Sequence, residues 1–82
     1  MKIQFTKNGK SDYNSIHENI QALADKQFEL LIHIGLTHNS LHAKKYSETN
    51  DYWQARLSRD WRFYFFIIGD TYLIHEIKKH PK

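Results

Sequence analysis

From Tyr52 onward, apolar and polar residues alternate with a period of two. Trp53, Ala55 and Leu57 take one parity; Gln54, Arg56 and Ser58 take the other. The β-rich run Trp61–Ile68 follows, then Gly69-Asp70, then Thr71–Lys79. A glycine and an aspartate between two such runs signal a two-residue hairpin, with Gly69 at positive φ. The pattern predicts a three-strand meander. Ile3, Gln4, Phe5 and Thr6 alternate in the same way and predict a short first strand.

Between these parts the period changes. Ile20, Leu23, Ala24, Leu31 and Ile34 recur at helical spacing, with Phe28 and Leu30 widening the stripe. Ser15 and Glu18 fit a capping box ahead of it, and Gly35 supplies a left-handed stop. An amphipathic helix of about 17–20 residues is predicted. The polar stretch Lys7–Asn14 is compatible with a helical turn or a loop. Thr37–Tyr46 reads as irregular, with Lys44 and Lys45 just ahead of the sheet. The expected fold is α+β: helices packed on one face of a small antiparallel sheet, in the order β-α-(α)-β-β-β, with residues 1–82 as a single domain.

Strand parity then places the polar side chains. If Trp61, Phe63, Phe65 and Ile67 face the core, Arg62, Tyr64 and Phe66 face away. A three-residue connection, Ser58-Arg59-Asp60, pairs Arg56 with Arg62 on the open face. A two-residue connection would put Arg56 opposite Phe63, in the core, which an unpaired guanidinium disfavours. The Gly69-Asp70 hairpin sets His75 opposite Tyr64. Strict alternation gives His80 the other parity; it reaches the open face only through a bulge, or if the chain leaves the sheet near Pro81.

Charge sharpens this picture. The chain of 82 residues carries a net charge of +3. In residues 1–43 four lysines balance four acids, whereas residues 44–82 hold eight basic residues against five acids. The positive field of the second half favours a phosphate-bearing partner. Arg56, Arg62, Lys44, Lys45 and His80, with Tyr64, form the candidate constellation. Guanidinium forks match phosphate oxygens, lysines add point charges, a tyrosine stacks on a base, and an imidazole exchanges a proton near neutral pH. The bland alternative pairs each arginine with a nearby acid such as Asp60 or Asp51. His33, His38 and His42 lack the spacing of a compact metal motif, so no metal or other cofactor is expected.

Composition excludes several classes. There is no cysteine, hence neither disulfide framework nor cysteine-based zinc site. No apolar run approaches the roughly 18 residues of a membrane span, and Met1–Lys10 lacks the apolar stretch of a signal peptide. A cytoplasmic chain with no membrane partner is the expectation. Its size leaves no room for a multidomain or nucleotide-fold enzyme. Neither a phosphate-cradling glycine loop nor a Ser-His-Asp order is present.

The segment Ser40–Tyr46, the spacing Trp53…Arg56-Leu57-Ser58…Trp61-Arg62…Phe65, the Gly69-Asp70 turn and His80-Pro81-Lys82 together resemble the RelE/ParE superfamily of type II toxin–antitoxin toxins, in its RelE-type branch with YoeB-like and HigB-like members. The resemblance implies a metal-independent endoribonuclease that cuts mRNA in the ribosomal A site, inhibits translation and arrests growth. It also implies a cognate antitoxin that silences the toxin, in a complex able to bind operator DNA. In residue terms it implies catalytic roles for Arg62, Arg56 and His80, and Lys44 and Lys45 match loosely the family's basic residues ahead of the sheet; with these, Tyr64 and Lys82 are the expected RNA-binding residues. YoeB-like members use a glutamate as base ahead of the sheet. Ser40–Tyr46 contains no acid, which leaves His42 as the possible base. The ParE-like branch, directed at DNA gyrase, shares the fold, and a non-catalytic RNA-binding or corepressor module is a third reading.

Overall fold

The computed structural model of the chain describes residues 1–47 and 51–80. Strand β1 spans Lys2–Phe5, helix α1 Lys7–Ser15 and helix α2 Glu18–His33. A 3₁₀ turn, Asn39–Leu41, leads into β2, Lys44–Ser47. Strands β3 (Tyr52–Arg56), β4 (Trp61–Ile68) and β5 (Thr71–Lys79) complete a five-stranded sheet in the order β1-β5-β4-β3-β2.

The meander and the α+β class follow the alternation. Two features of the sheet differ from the expectation. The sheet is mixed, because β1 runs parallel to β5. Lys44 and Lys45 do not precede the sheet; they form its edge strand, antiparallel to β3. Edge strands rich in charge resist unwanted pairing, which suits two lysines there.

Helix α1 is weakly helical by composition, and its contacts explain its existence. Thr6 caps it by accepting from the Gly9 amide (3.0 Å). Asp12 Oδ2 accepts from the Ile77 amide (3.0 Å), satisfying β5 beyond the end of β1. Gly9 lies directly on β5, where a methyl group would come 2.1 Å from the Ile74 carbonyl oxygen.

Helix α2 starts later than the capping box predicts. His17 is the cap, its Nδ1 accepting from the Asn19 amide (3.1 Å). The Ser15 hydroxyl instead donates to the Ser11 and Asp12 carbonyls and closes α1. The two helices are separate because Ile16 and His17 are extended. Ala24, Phe28 and Leu31 are buried against Phe63 and neighbours, while Leu23 and Ile34 lie exposed. Gly35 (φ 101°) ends α2 as predicted, its amide reaching the Leu30 carbonyl.

The aromatic residues of core parity behave accordingly. Phe63 and Phe65 are fully buried, and Trp53 and Trp61 pack on the cluster's margin. Phe66 sits on the opposite face against the Tyr52 ring.

Candidate active site

The register of β3 with β4 is the one that the three-residue connection predicts: Arg56 pairs with Arg62 and Gln54 with Tyr64. On the other side of β4 the register shifts. Tyr64 pairs with Glu76 and Phe65 with Ile74, so His75 is the extra residue of a β-bulge and is not opposite Tyr64. The bulge reverses the parity of everything after it. Lys78 falls opposite Arg62, and His80, two residues on, comes to the open face. The His80 amide donates to the Asp60 carbonyl at 2.7 Å, extending the pairing by one more residue.

The result is a hollow of about 420 Å³ lined by His42, Ala43, Lys44, Gln54, Arg56, Arg62 and His80. Five of the candidate residues therefore meet at one place. His42 arrives in left-handed conformation (φ 44°) just after the 3₁₀ turn. Lys44 reaches the hollow because it pairs with Gln54.

Two other assignments come out differently. Lys45 pairs with Trp53, a residue of core parity, so its side chain leaves the hollow; it contacts Asp51 at 3.6 Å. Tyr64 is only 5% exposed and has no free ring to offer a base. Lys78 Nζ lies 4.7 Å from its ring centre, and the Tyr46 ring stands nearly perpendicular to it. Lys82, like Pro81, lies outside the described residues. The histidines considered for metal are dispersed. His33 pairs with Glu29, His38 accepts from the Ser40 amide, and among the described residues no group of metal-binding side chains gathers.

The two arginines are held differently. Arg62 Nη1 donates to the Ser58 and Trp61 carbonyls (2.9 Å each) and reaches the Arg59 carbonyl (3.4 Å), clamping the β3–β4 connection. The Arg56 Nε is buried and without a hydrogen-bond partner. Among the described residues neither guanidinium has an acid within ion-pair distance, Asp51 being engaged with Lys45 and Trp53. A partly buried, unpartnered guanidinium is a costly arrangement that an oxyanion would relieve.

Gln27 on α2 sets this geometry from behind. It is 6% exposed, and its Nε2 donates to the Arg56 carbonyl (2.9 Å) and the Ser40 carbonyl (3.3 Å). One amide thus ties the end of β3 to the turn that delivers His42. Sequence reasoning missed it because a glutamine at helical spacing reads as surface. The only signal was its place on the stripe between Ala24 and Leu31.

Beside the hollow, Tyr52 donates from its hydroxyl to Glu76 Oε1, and Lys78 contacts Glu76 at 3.2 Å. The Tyr52 bond above all, with Lys78, holds the Glu76 carboxyl below the ordinary glutamate range, against the opposing effect of burial. Burial, then the Glu76 contact, pushes the Tyr52 hydroxyl up. The Lys78 ammonium is raised chiefly by the same carboxylate.

No family model matches the sequence, and no curated protein matches it. Solved structures do match. One is a heterotetrameric YoeB–YefM toxin–antitoxin complex from Staphylococcus aureus, at TM-score 0.77 and 14% identity over 96% of this chain and 95% of that one. Another is the archaeal RelE–RelB complex from Pyrococcus horikoshii, at 0.79 and 15% over 99% and 96%. A third is a YoeB/ParE toxin from Agrobacterium tumefaciens, at 0.78 and 14% over 99% and 100%. Two helices on a five-stranded mixed sheet, matched along nearly the whole of each chain, give this protein the fold of these YoeB and RelE structures.

Proposed function

We propose that residues 1–82 form one toxin domain of a type II toxin–antitoxin system, and that it is a metal-independent, ribosome-dependent mRNA endoribonuclease of the cytoplasm. The observation that carries this reading is the convergence of Arg56, Arg62, His42, Lys44 and His80 on one hollow without a carboxylate among its described lining residues. Two guanidiniums, a lysine and two imidazoles suit a phosphodiester and the charge that develops on it.

In the proposed reaction the RNA 2′-hydroxyl attacks the adjacent phosphorus. Its proton passes to His42, and the 5′-oxygen leaves with a proton from His80, giving a 2′,3′-cyclic phosphate and a free 5′-hydroxyl. Arg56 and Arg62 stabilise the pentacoordinate phosphorus. Lys44 holds the RNA backbone. The ribosome supplies most of the substrate's positioning, which lets so small a chain suffice. A cognate antitoxin is proposed as the silencing partner. The YefM and RelB complexes of the matched folds support it, as does a basic hollow suited to an acidic, partly disordered segment.

The test is an in vitro translation reaction read by primer extension. Cuts within the translated message, lost in Arg56→Ala and His80→Ala, are expected. Equal cutting of naked RNA would refute ribosome dependence. The ParE name carried by the Agrobacterium structure favours a second reading, gyrase inhibition. Blocked DNA supercoiling, together with growth arrest that survives His80→Ala, would establish it instead. Binding without cleavage or arrest would point to the corepressor reading.

A further inference from the structure

A second hollow, of about 790 Å³, adjoins the first and shares Gln54 and His80 with it. Tyr46, Asp60, Tyr64 and Lys78 also line it. Tyr46 is 58% exposed, on the edge strand β2. Its ring is nearly perpendicular to Tyr64 (78°, centroids 5.2 Å apart) and to Tyr52 (83°, 6.0 Å). Those two buried rings hold it upright, while its exposure keeps aromatic surface in solvent. The Tyr64 ring is already occupied by the Lys78 ammonium. Tyr46 is therefore the aromatic group of this hollow that a planar ligand can meet.

We propose that this hollow is a nucleobase subsite, in which Tyr46 stacks on the base of the nucleotide whose phosphate lies at Arg56. A cationic hollow adjoining one walled by a partly exposed aromatic ring matches a ligand that carries an anion and a planar ring within one unit, which is a nucleotide. The Gln54 amide, common to both hollows, offers a donor and an acceptor where the two parts of that ligand join. Stacking is tolerant of base identity, so all four bases are accommodated. The inference rests on the RNA reading of the cationic hollow.

The experiment titrates the full chain with two probes, adenosine 3′-monophosphate and ribose 5-phosphate, followed by NMR. The nucleotide is expected to bind about five- to a hundredfold tighter than the base-free probe, the range of one base–aromatic stack. Only the nucleotide is expected to shift the Tyr46 ring resonances. Tyr46→Ala is expected to abolish that advantage and Tyr46→Phe to keep it, with ribose 5-phosphate binding unchanged in both. Equal affinity for the two probes in the unmutated chain, or an advantage that survives Tyr46→Ala, overturns the subsite and leaves the cationic hollow standing. Ribose 5-phosphate binding that is indifferent to Arg56→Ala overturns the phosphate reading, and the subsite with it.

Discussion

Gln27 holds Arg56 from inside the protein: its side-chain amide donates to the Arg56 main-chain carbonyl at 2.9 Å, on the buried side of the strand whose other side carries the guanidinium into the hollow. The same amide reaches the Ser40 carbonyl, so the two walls of the site share one tether. Replacing Gln27 by leucine leaves two carbonyls without their donor. An unsatisfied buried acceptor costs about 1–3 kcal/mol. Gln27→Leu is expected to lower unfolding free energy by that amount in urea denaturation. It should also reduce cleavage in the translation assay more than it reduces RNA binding, because His42 and Arg56 lose their relative placement.

The contrast between the two arginines gives a second expectation. Arg62 clamps three carbonyls of its own connection, whereas Arg56 Nε has no partner. Arg62→Ala should cost about 1.5–3 kcal/mol of stability, the range for charged hydrogen bonds. Arg56→Ala should leave stability unchanged or slightly raised, since it relieves a buried unpaired donor. Its loss should fall on chemistry, about 10²–10³-fold in cleavage rate, the range for a donor aimed at developing negative charge. Denaturation curves and single-turnover cleavage of the two variants separate these effects; equal destabilisation by both would contradict the assignment.

Gly9 provides a test of the scaffold. A methyl group there meets the Ile74 carbonyl oxygen at 2.1 Å and its carbon at 2.8 Å, both main-chain atoms that cannot rotate away. Gly9→Ala must lift α1 from β5 and strain the Asp12 contact to the Ile77 amide. Helix propensity alone would favour alanine by about 1 kcal/mol. The clash should outweigh it, with a net loss of roughly 3 kcal/mol or more, in the range of severe packing defects. A raised melting temperature would show that α1 does not sit as described.

The Tyr52–Glu76–Lys78 cluster predicts how stability depends on pH. The Glu76 carboxyl is depressed in the folded chain, first by the Tyr52 hydroxyl. It therefore contributes stability above its ordinary value of 4.5, and that contribution is lost as pH falls through the folded value. At the alkaline end Tyr52, raised by burial, and Lys78, raised by Glu76, act in the opposite sense. Their contributions are complete below their ordinary values of 10.0 and 10.5 and decline as pH rises past them. Urea midpoints measured from pH 3 to 11 should fall at both ends. Glu76→Gln should flatten the acid limb; an unchanged acid limb would refute the coupling.

Local sequence was sufficient for the elements whose energetics are local or alternate cleanly. The meander, the Gly69-Asp70 turn, the pairing of Arg56 with Arg62 and the Gly35 stop all follow from period, turn chemistry and the penalty for burying a charge. Hence the shared face of Arg56 and Arg62 was legible in the sequence. Tertiary structure decided the rest. Helix α1 forms because β5 and Asp12 hold it, not because its residues favour helix. The pairing of Lys44 with Gln54, which brings one lysine in and turns the other out, depends on a long-range partner that periodicity cannot register. The bulge at His75 carries His80 across the sheet, and one inserted residue inverts every later side chain while leaving the local alternation of hydrophobicity unchanged.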